Sequence, residues 1–71
     1  MGYKEVMQNV SKEQAIIFIT NLKTYWSQNN GRDFDNLARR ALLDIGISAS
    51  VNGNTINAIV ERMERKAKIN F

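Results

Sequence analysis

The side chains that most often carry catalytic chemistry are missing from this chain of 71 residues. It contains no His and no Cys, so Asp and Glu are the main candidates for general acid or base catalysis. Asp33 and Asp35 are near neighbours, but their place before an apolar helical pattern is typical of a helix cap and a helix-dipole partner. The usual zinc and copper sites lack their ligands. We therefore expect a protein that is not an enzyme and that uses no metal or cofactor.

The C-terminal half carries the strongest indication of binding. Residues 37–48, LARRALLDIGIS, followed by residues 54–65, NTINAIVERMER, resemble a helix-turn-helix motif. In that motif the first helix ends at a Gly, and the N-terminal side chains of the second helix enter the major groove of DNA. The segment from Ala49 to Gly53 makes the turn longer than the three or four residues that are usual for the motif.

The resemblance implies which side chains would contact DNA. In such a motif Asn can form two hydrogen bonds with adenine, and Ala can contact the thymine methyl group. The residues that would face bases are Asn54, Thr55, Asn57 and Ala58. Basic side chains would instead meet phosphates. These are Arg62, Arg65 and Lys68 on the same helix, with Arg39 and Arg40 on the preceding one.

Each of these assignments has a purely structural alternative. Asn54 and Thr55 are typical residues of a helix start, where they would cap and not read bases. For Arg62 and Arg65 the alternative is a solvated surface balanced by neighbouring Glu residues. The formal net charge of +3 permits nucleic-acid binding without requiring it.

A second set of residues indicates a protein partner. Ile17 and Leu43 are apolar residues on otherwise polar faces of their predicted helices. They are either incidental or part of a patch for a partner or a second copy of the chain. Tyr3, Val6 and Met7 form one short apolar face that could serve in the same way. Because so small a core leaves little reserve of stability, we expect a symmetric homodimer.

The elements that must position these residues are helices, separated by clusters of Gly and Asn. Apolar residues at helical spacing predict a short helix over residues 3–10 and a longer one over about 12–28. Ser11 and Gln14 would open the longer helix with a capping box, and Asn30 or Gly31 would supply the left-handed residue after it. A strand over residues 16–20 is the alternative, because that segment is rich in β-branched side chains.

The same spacing predicts a third helix over residues 34–45 and a fourth over about 54–68. Asp33 and Asn54 would be their N-caps, and Gly46 would end the third helix. Residues 47–53 leave two alternatives open, a loop leading into the last helix or a small hairpin that pairs Val51 with Asn54. The predicted fold is therefore all-α, a single three-helix domain over residues 1–71 with a short extra N-terminal helix. We expect Trp26 to be at least partly buried against residues such as Phe34, Leu42 and Ile59.

Composition limits the class of protein further. Forty-four per cent hydrophobic and 24% charged residues suit a folded globular chain. The longest apolar run, residues 15–19, is far shorter than the roughly 20 residues that cross a bilayer. Because no secretory signal pattern opens the chain, we expect it in the cytoplasm.

The sequence favours a small DNA-binding regulator or accessory protein of a phage or other mobile element. The alternative is a small helical inhibitor or adaptor that binds a host or phage protein.

Overall fold

The computed structural model describes residues 2–48 and 50–71. Within them four helices follow one another and no strand occurs: α1 (Tyr3–Met7), α2 (Lys12–Gln28), α3 (Phe34–Asp44) and α4 (Gly53–Ala67). The predicted all-α fold of three main helices and a short one is confirmed. Both alternatives with β-structure are wrong, because residues 16–20 lie within α2 and Gly53 begins α4. Ala49, part of the segment left open by the sequence, lies outside the described residues.

Helix α2 begins with the capping box that the sequence predicts. The Ser11 hydroxyl accepts a hydrogen bond from the Gln14 amide at 3.1 Å, and the Gln14 side chain accepts one from the Ser11 amide at 2.9 Å. Two N–H groups at the helix start are thereby satisfied. Asn30 and Gly31 both adopt positive φ, 55° and 71°, so the left-handed turn after α2 uses both candidate residues.

Helix α3 begins at Phe34 and ends before Gly46 as predicted, but the side chain at its N-cap position forms no cap. Gly46 has a φ of 80°, and its amide donates to Leu43 while the Ile47 amide donates to Leu42, each at 2.9 Å, which is a Schellman motif. Asp33 precedes the helix, yet it has a left-handed backbone, φ 60°, and its side chain forms no capping hydrogen bond. A capping side chain needs an extended backbone to reach the helix amides. The prediction that Asp33 caps α3 is therefore wrong.

The N-cap of helix α4 lies two residues before the predicted one. Asn52 has an extended backbone, and its side-chain oxygen accepts a hydrogen bond from the Thr55 amide at 2.9 Å. Gly53 is the first helical residue, and Asn54 is exposed within the first turn. Asn52 is the N-cap, and the assignment of Asn54 to that role is wrong.

Replacement of Asn52 by Ala is expected to lower the free energy of unfolding by about 1 kcal/mol, because the Thr55 amide loses its acceptor. The matched variant Asn54→Ala should stay within about 0.5 kcal/mol of the wild type, since its side chain is exposed and Ala favours helix. Urea unfolding of both variants measures the difference. Equal losses, or a loss at Asn54 alone, would contradict the capping role of Asn52.

The core is built around α2, which packs against both α3 and α4, while α1 packs on α4 alone among the helices. Its side chains come from all four helices and from the α1–α2 connection. They are Val6, Val10, Ala15, Phe18, Ile19, Leu22, Ala38, Ala41, Leu42, Ile56, Ile59, Val60, Met63 and Ala67. Helix α1 is too short to be stable alone, and burial of Val6 holds it in place. Val6 is 4% exposed, so its prediction as an interface residue is wrong.

An aromatic cluster closes one end of the helix bundle. The Trp26 ring meets the rings of Phe34 and Phe71 edge-on, with centroids 5.6 Å and 5.8 Å away. Trp26 is partly buried and contacts Phe34, as predicted, whereas Phe71 is an additional partner. The chain after α4 turns back at Lys68, and the Phe71 amide donates to the Glu64 carboxylate at 2.8 Å. None of the described helices combines the length and apolar character needed to cross a membrane.

Candidate nucleic-acid interface

The side chains predicted to face bases are only partly accessible at the start of α4. Asn54 and Asn57 are exposed, whereas Thr55 and Ala58 are half-buried. The connection between α3 and α4 comprises residues 45–52. It is about twice as long as the three- or four-residue turn of a helix-turn-helix motif. The short turn that is typical of such a motif is therefore not reproduced.

Arg39 is engaged within the fold. Its Nε donates to the Asp35 carboxylate at 2.8 Å, and the two residues form an ion pair four positions apart on α3. Its Nη2 donates to the same carboxylate at 3.4 Å and to the Val51 carbonyl oxygen. Arg39 thus ties α3 to the residue preceding the Asn52 cap, and few of its donors are left for a phosphate.

Arg40 lies at the contact between α2 and α3. Its guanidinium carbon is 4.4 Å from the centroid of the Tyr25 ring, a cation–π contact. The Tyr25 hydroxyl donates to the Asp44 carboxylate, which also accepts from the Asn21 amide group at 3.2 Å. The hydrogen bond to Asp44, with a smaller contribution from desolvation, raises the pKa of Tyr25 above its ordinary value. Asp44 bonds to α2 in this way, and these two described residues, Arg40 and Asp44, form no ion pair although four positions separate them.

A groove of about 560 Å³ lies between α1 and α4. It is lined by Tyr3, Lys4, Met7, Gln8, Arg62, Arg65 and Lys66. Tyr3 and Met7 are half-buried and pack against the core, so they form the apolar floor of the groove. The four charged side chains are all basic and all exposed. We call this feature the α1–α4 groove.

Two features of the sequence bring these cations together. Arg62, Arg65 and Lys66 are separated by three and four positions, so they lie on neighbouring parts of one helical face. Lys4 comes from α1, which buries Val6 against α4. The Arg62 guanidinium carbon lies 5.2 Å from the centroid of the Tyr3 ring, and its Nη2 lies 3.5 Å from the Tyr3 hydroxyl. Tyr3 therefore holds Arg62 at the groove.

The groove is a local concentration of positive charge. Glu61 pairs with Arg65 at 3.0 Å, and both side chains are well exposed, so water and salt weaken this pair. Even with Glu61 counted against them, the four cations carry as much charge as the net +3 of the whole chain. The remaining basic and acidic residues are equal in number. A positive field of this kind attracts anions to the groove.

No cluster of three or more acidic side chains of the kind that holds a metal ion occurs in residues 2–48 and 50–71. Comparisons were made with protein-family models, curated proteins and solved structures. Nothing matches this chain. Its function must therefore be inferred from the α1–α4 groove and the surrounding surface.

The groove contains two cations that the sequence-based assignment omitted. Lys66 follows Arg62 by four positions, so a search for basic residues at helical spacing would have found it. Lys4 is distant in sequence, and only the docking of α1 brings it near. Of the nine side chains predicted to contact DNA, Arg62 and Arg65 line the groove. Lys68 is exposed at the left-handed residue after α4 and lies outside it.

The residues predicted for a protein interface are also divided. Ile17 and Leu43 are 47% and 61% exposed, whereas Tyr3 and Met7 form the floor of the groove. Leu43 adjoins Asp44, which is hydrogen-bonded to Asn21. Ile17 lies one helical turn before Asn21. The two exposed aliphatic side chains therefore belong to the outer surface of α2 and α3.

Proposed function

We propose that this chain is a small, non-catalytic DNA-binding protein, with a regulatory or accessory role, that holds the sugar-phosphate backbone in the α1–α4 groove. The observation that carries the proposal is the convergence of Lys4, Arg62, Arg65 and Lys66 on that groove. Cations that neutralise phosphates release the counterions condensed on DNA, which supplies most of the affinity of non-specific binding. Four exposed cations and no acidic side chain among the described lining residues suit this kind of contact.

The proposal separates contacts that position the DNA from contacts that read its sequence. The groove would hold phosphates. The exposed Asn54 and Asn57, nearer the start of α4, are the side chains available for bases. Arg39 has a structural task, since it bonds to Asp35 and to the Val51 carbonyl.

The double variant Arg62→Gln/Lys66→Gln is expected to bind DNA more weakly than the wild type. It should also show a slope of log Kobs against log salt concentration that is shallower by about 1–2, because each lost phosphate contact removes about 0.9 from the slope on duplex DNA. Fluorescence anisotropy with labelled DNA at several salt concentrations near physiological measures both quantities.

The matched control is the double variant Lys23→Gln/Arg32→Gln, which removes one Lys and one Arg that are exposed and lie outside the groove. It should keep nearly the wild-type affinity and slope. Equal losses in both double variants would mean that net charge matters and the groove does not. Undetectable binding by the wild type up to about 10⁻⁴ M, the weak end of non-specific affinity, would contradict DNA binding altogether.

A second candidate function is the binding of a protein, either a target that the chain inhibits or adapts or a second copy of the chain. It is supported by the exposure of Ile17 and Leu43 on the outer surface of α2 and α3. Single exposed aliphatic residues are common on protein surfaces, whereas four converging cations are not explained by packing. The groove therefore favours DNA, and failure of the binding experiment above would favour this second candidate.

A further inference from the structure

We infer that the α1–α4 groove takes single-stranded in preference to double-stranded nucleic acid; this inference rests on the proposed function and specifies its partner. The groove combines exposed cations with an apolar floor formed by Tyr3 and Met7. A single strand offers phosphates and unpaired bases together, and proteins that bind it pair a basic track with aromatic side chains on which bases stack. A duplex keeps the faces of its nucleobases stacked inside, so it has no nucleobase face to place on the apolar floor of the groove.

The width of the α1–α4 helix pair also argues against its entry into the major groove of a duplex. An α-helix with its side chains is about 10 Å across, and packed helices lie about 8–10 Å apart. The α1–α4 pair that carries the cations is therefore roughly 18–20 Å wide, more than the ≈ 12 Å of the major groove of B-DNA. The cations can meet a duplex only along its outer phosphates. A flexible strand can follow the recess between the helices.

Tyr3 is the side chain in the groove best suited to hold a base. Its ring is half-buried, packs against the core and has the Arg62 guanidinium 5.2 Å from its centroid. Guanidinium groups and aromatic rings both stack on nucleobases. A base bound here would lie against Tyr3 and Met7, while the flanking phosphates would reach Lys4 and Arg65.

The test compares a DNA strand of about 16 nucleotides, the upper end of common site sizes, with the duplex that it forms with its complement. An RNA strand of the same sequence is a third ligand. We expect either single strand to bind at least about fivefold more tightly than the duplex, the lower limit expected from stacking one base. A duplex that binds as tightly as the better strand would overturn this inference and leave the proposed function standing. Absence of binding to all three ligands would overturn both.

Two variants of Tyr3 test the stacking role directly. Tyr3→Leu keeps an apolar side chain on the core but removes the ring, and should lower the ratio of single-strand to duplex affinity about fivefold or more. Tyr3→Phe keeps the ring and loses only the hydroxyl near Arg62, so it should retain the preference for single strands. Equal single-strand affinities of the two variants would overturn the assignment of Tyr3. Circular dichroism establishes that both are folded, and the wild-type comparison does not depend on either.

Discussion

Replacement of Ile19 by Ala is expected to lower the free energy of unfolding by about 2–5 kcal/mol. Ile19 is completely buried in the core around α2, so the variant loses apolar contacts and leaves a cavity that its neighbours fill only in part. A chain of this length has a total stability of roughly 4–11 kcal/mol, at 0.05–0.15 kcal/mol per residue. The variant should therefore lose a large part of its folded population at moderate temperature.

The matched control is Ile17→Ala, the same substitution two residues away in the same helix. Ile17 is 47% exposed, so we expect a change of less than about 1 kcal/mol. Urea unfolding followed by circular dichroism measures both variants. Similar losses at the two positions would contradict the orientation of α2. A loss at Ile17 that depends on protein concentration would instead indicate that Ile17 lies in an oligomer interface, which is the self-association form of the second candidate function.

The variant Phe71→Ala is expected to lower the free energy of unfolding by about 1–3 kcal/mol. Phe71 contributes two edge-on aromatic contacts, to Trp26 and to Phe34 with centroids 5.8 Å and 5.4 Å away, and such pairs contribute about 0.5–1.5 kcal/mol each. Loss of the ring also opens Trp26 to water. The fluorescence of Trp26 should therefore shift to longer wavelength in the folded variant, and thermal unfolding gives the change in stability.

The variant Phe71→Leu is the control for apolar contact without the aromatic geometry, and it should show a smaller loss than Phe71→Ala. Its Trp26 emission should stay close to that of the wild type, because a bulky apolar side chain still covers the indole. Wild-type stability and unchanged emission in Phe71→Ala would show that the residues after α4 do not pack against Trp26.

Local signals in the sequence were sufficient to predict the helix ends whose hydrogen bonds join neighbouring residues. The capping box of Ser11 and Gln14 and the left-handed Gly46 are each completed by hydrogen bonds within a few residues. Their energies do not depend on the rest of the chain, so the bounds of α2 and the end of α3 could be predicted.

The start of α4 could not be predicted in the same way, because Asn52 and Asn54 are both good capping residues. The choice between them depends on contacts from α3. Arg39 donates to the carbonyl of Val51, immediately before Asn52, and so holds the chain where the helix begins. That hydrogen bond joins residues 12 positions apart, which no local pattern predicts.

The candidate site, too, could be predicted from the sequence only in part. Helical periodicity alone puts Arg62, Arg65 and Lys66 on one side of α4, because residues three and four positions apart are neighbours on a helix. Whether that side becomes a groove depends on α1, a helix too short to form without partners. Burial of Val6 against the core brings Tyr3 and Lys4 beside Arg62, across 59 positions of sequence between Tyr3 and Arg62. The sequence by itself determined the basic stripe. The tertiary structure added the aromatic ring and the fourth cation, because only packing between distant apolar residues determines where α1 lies.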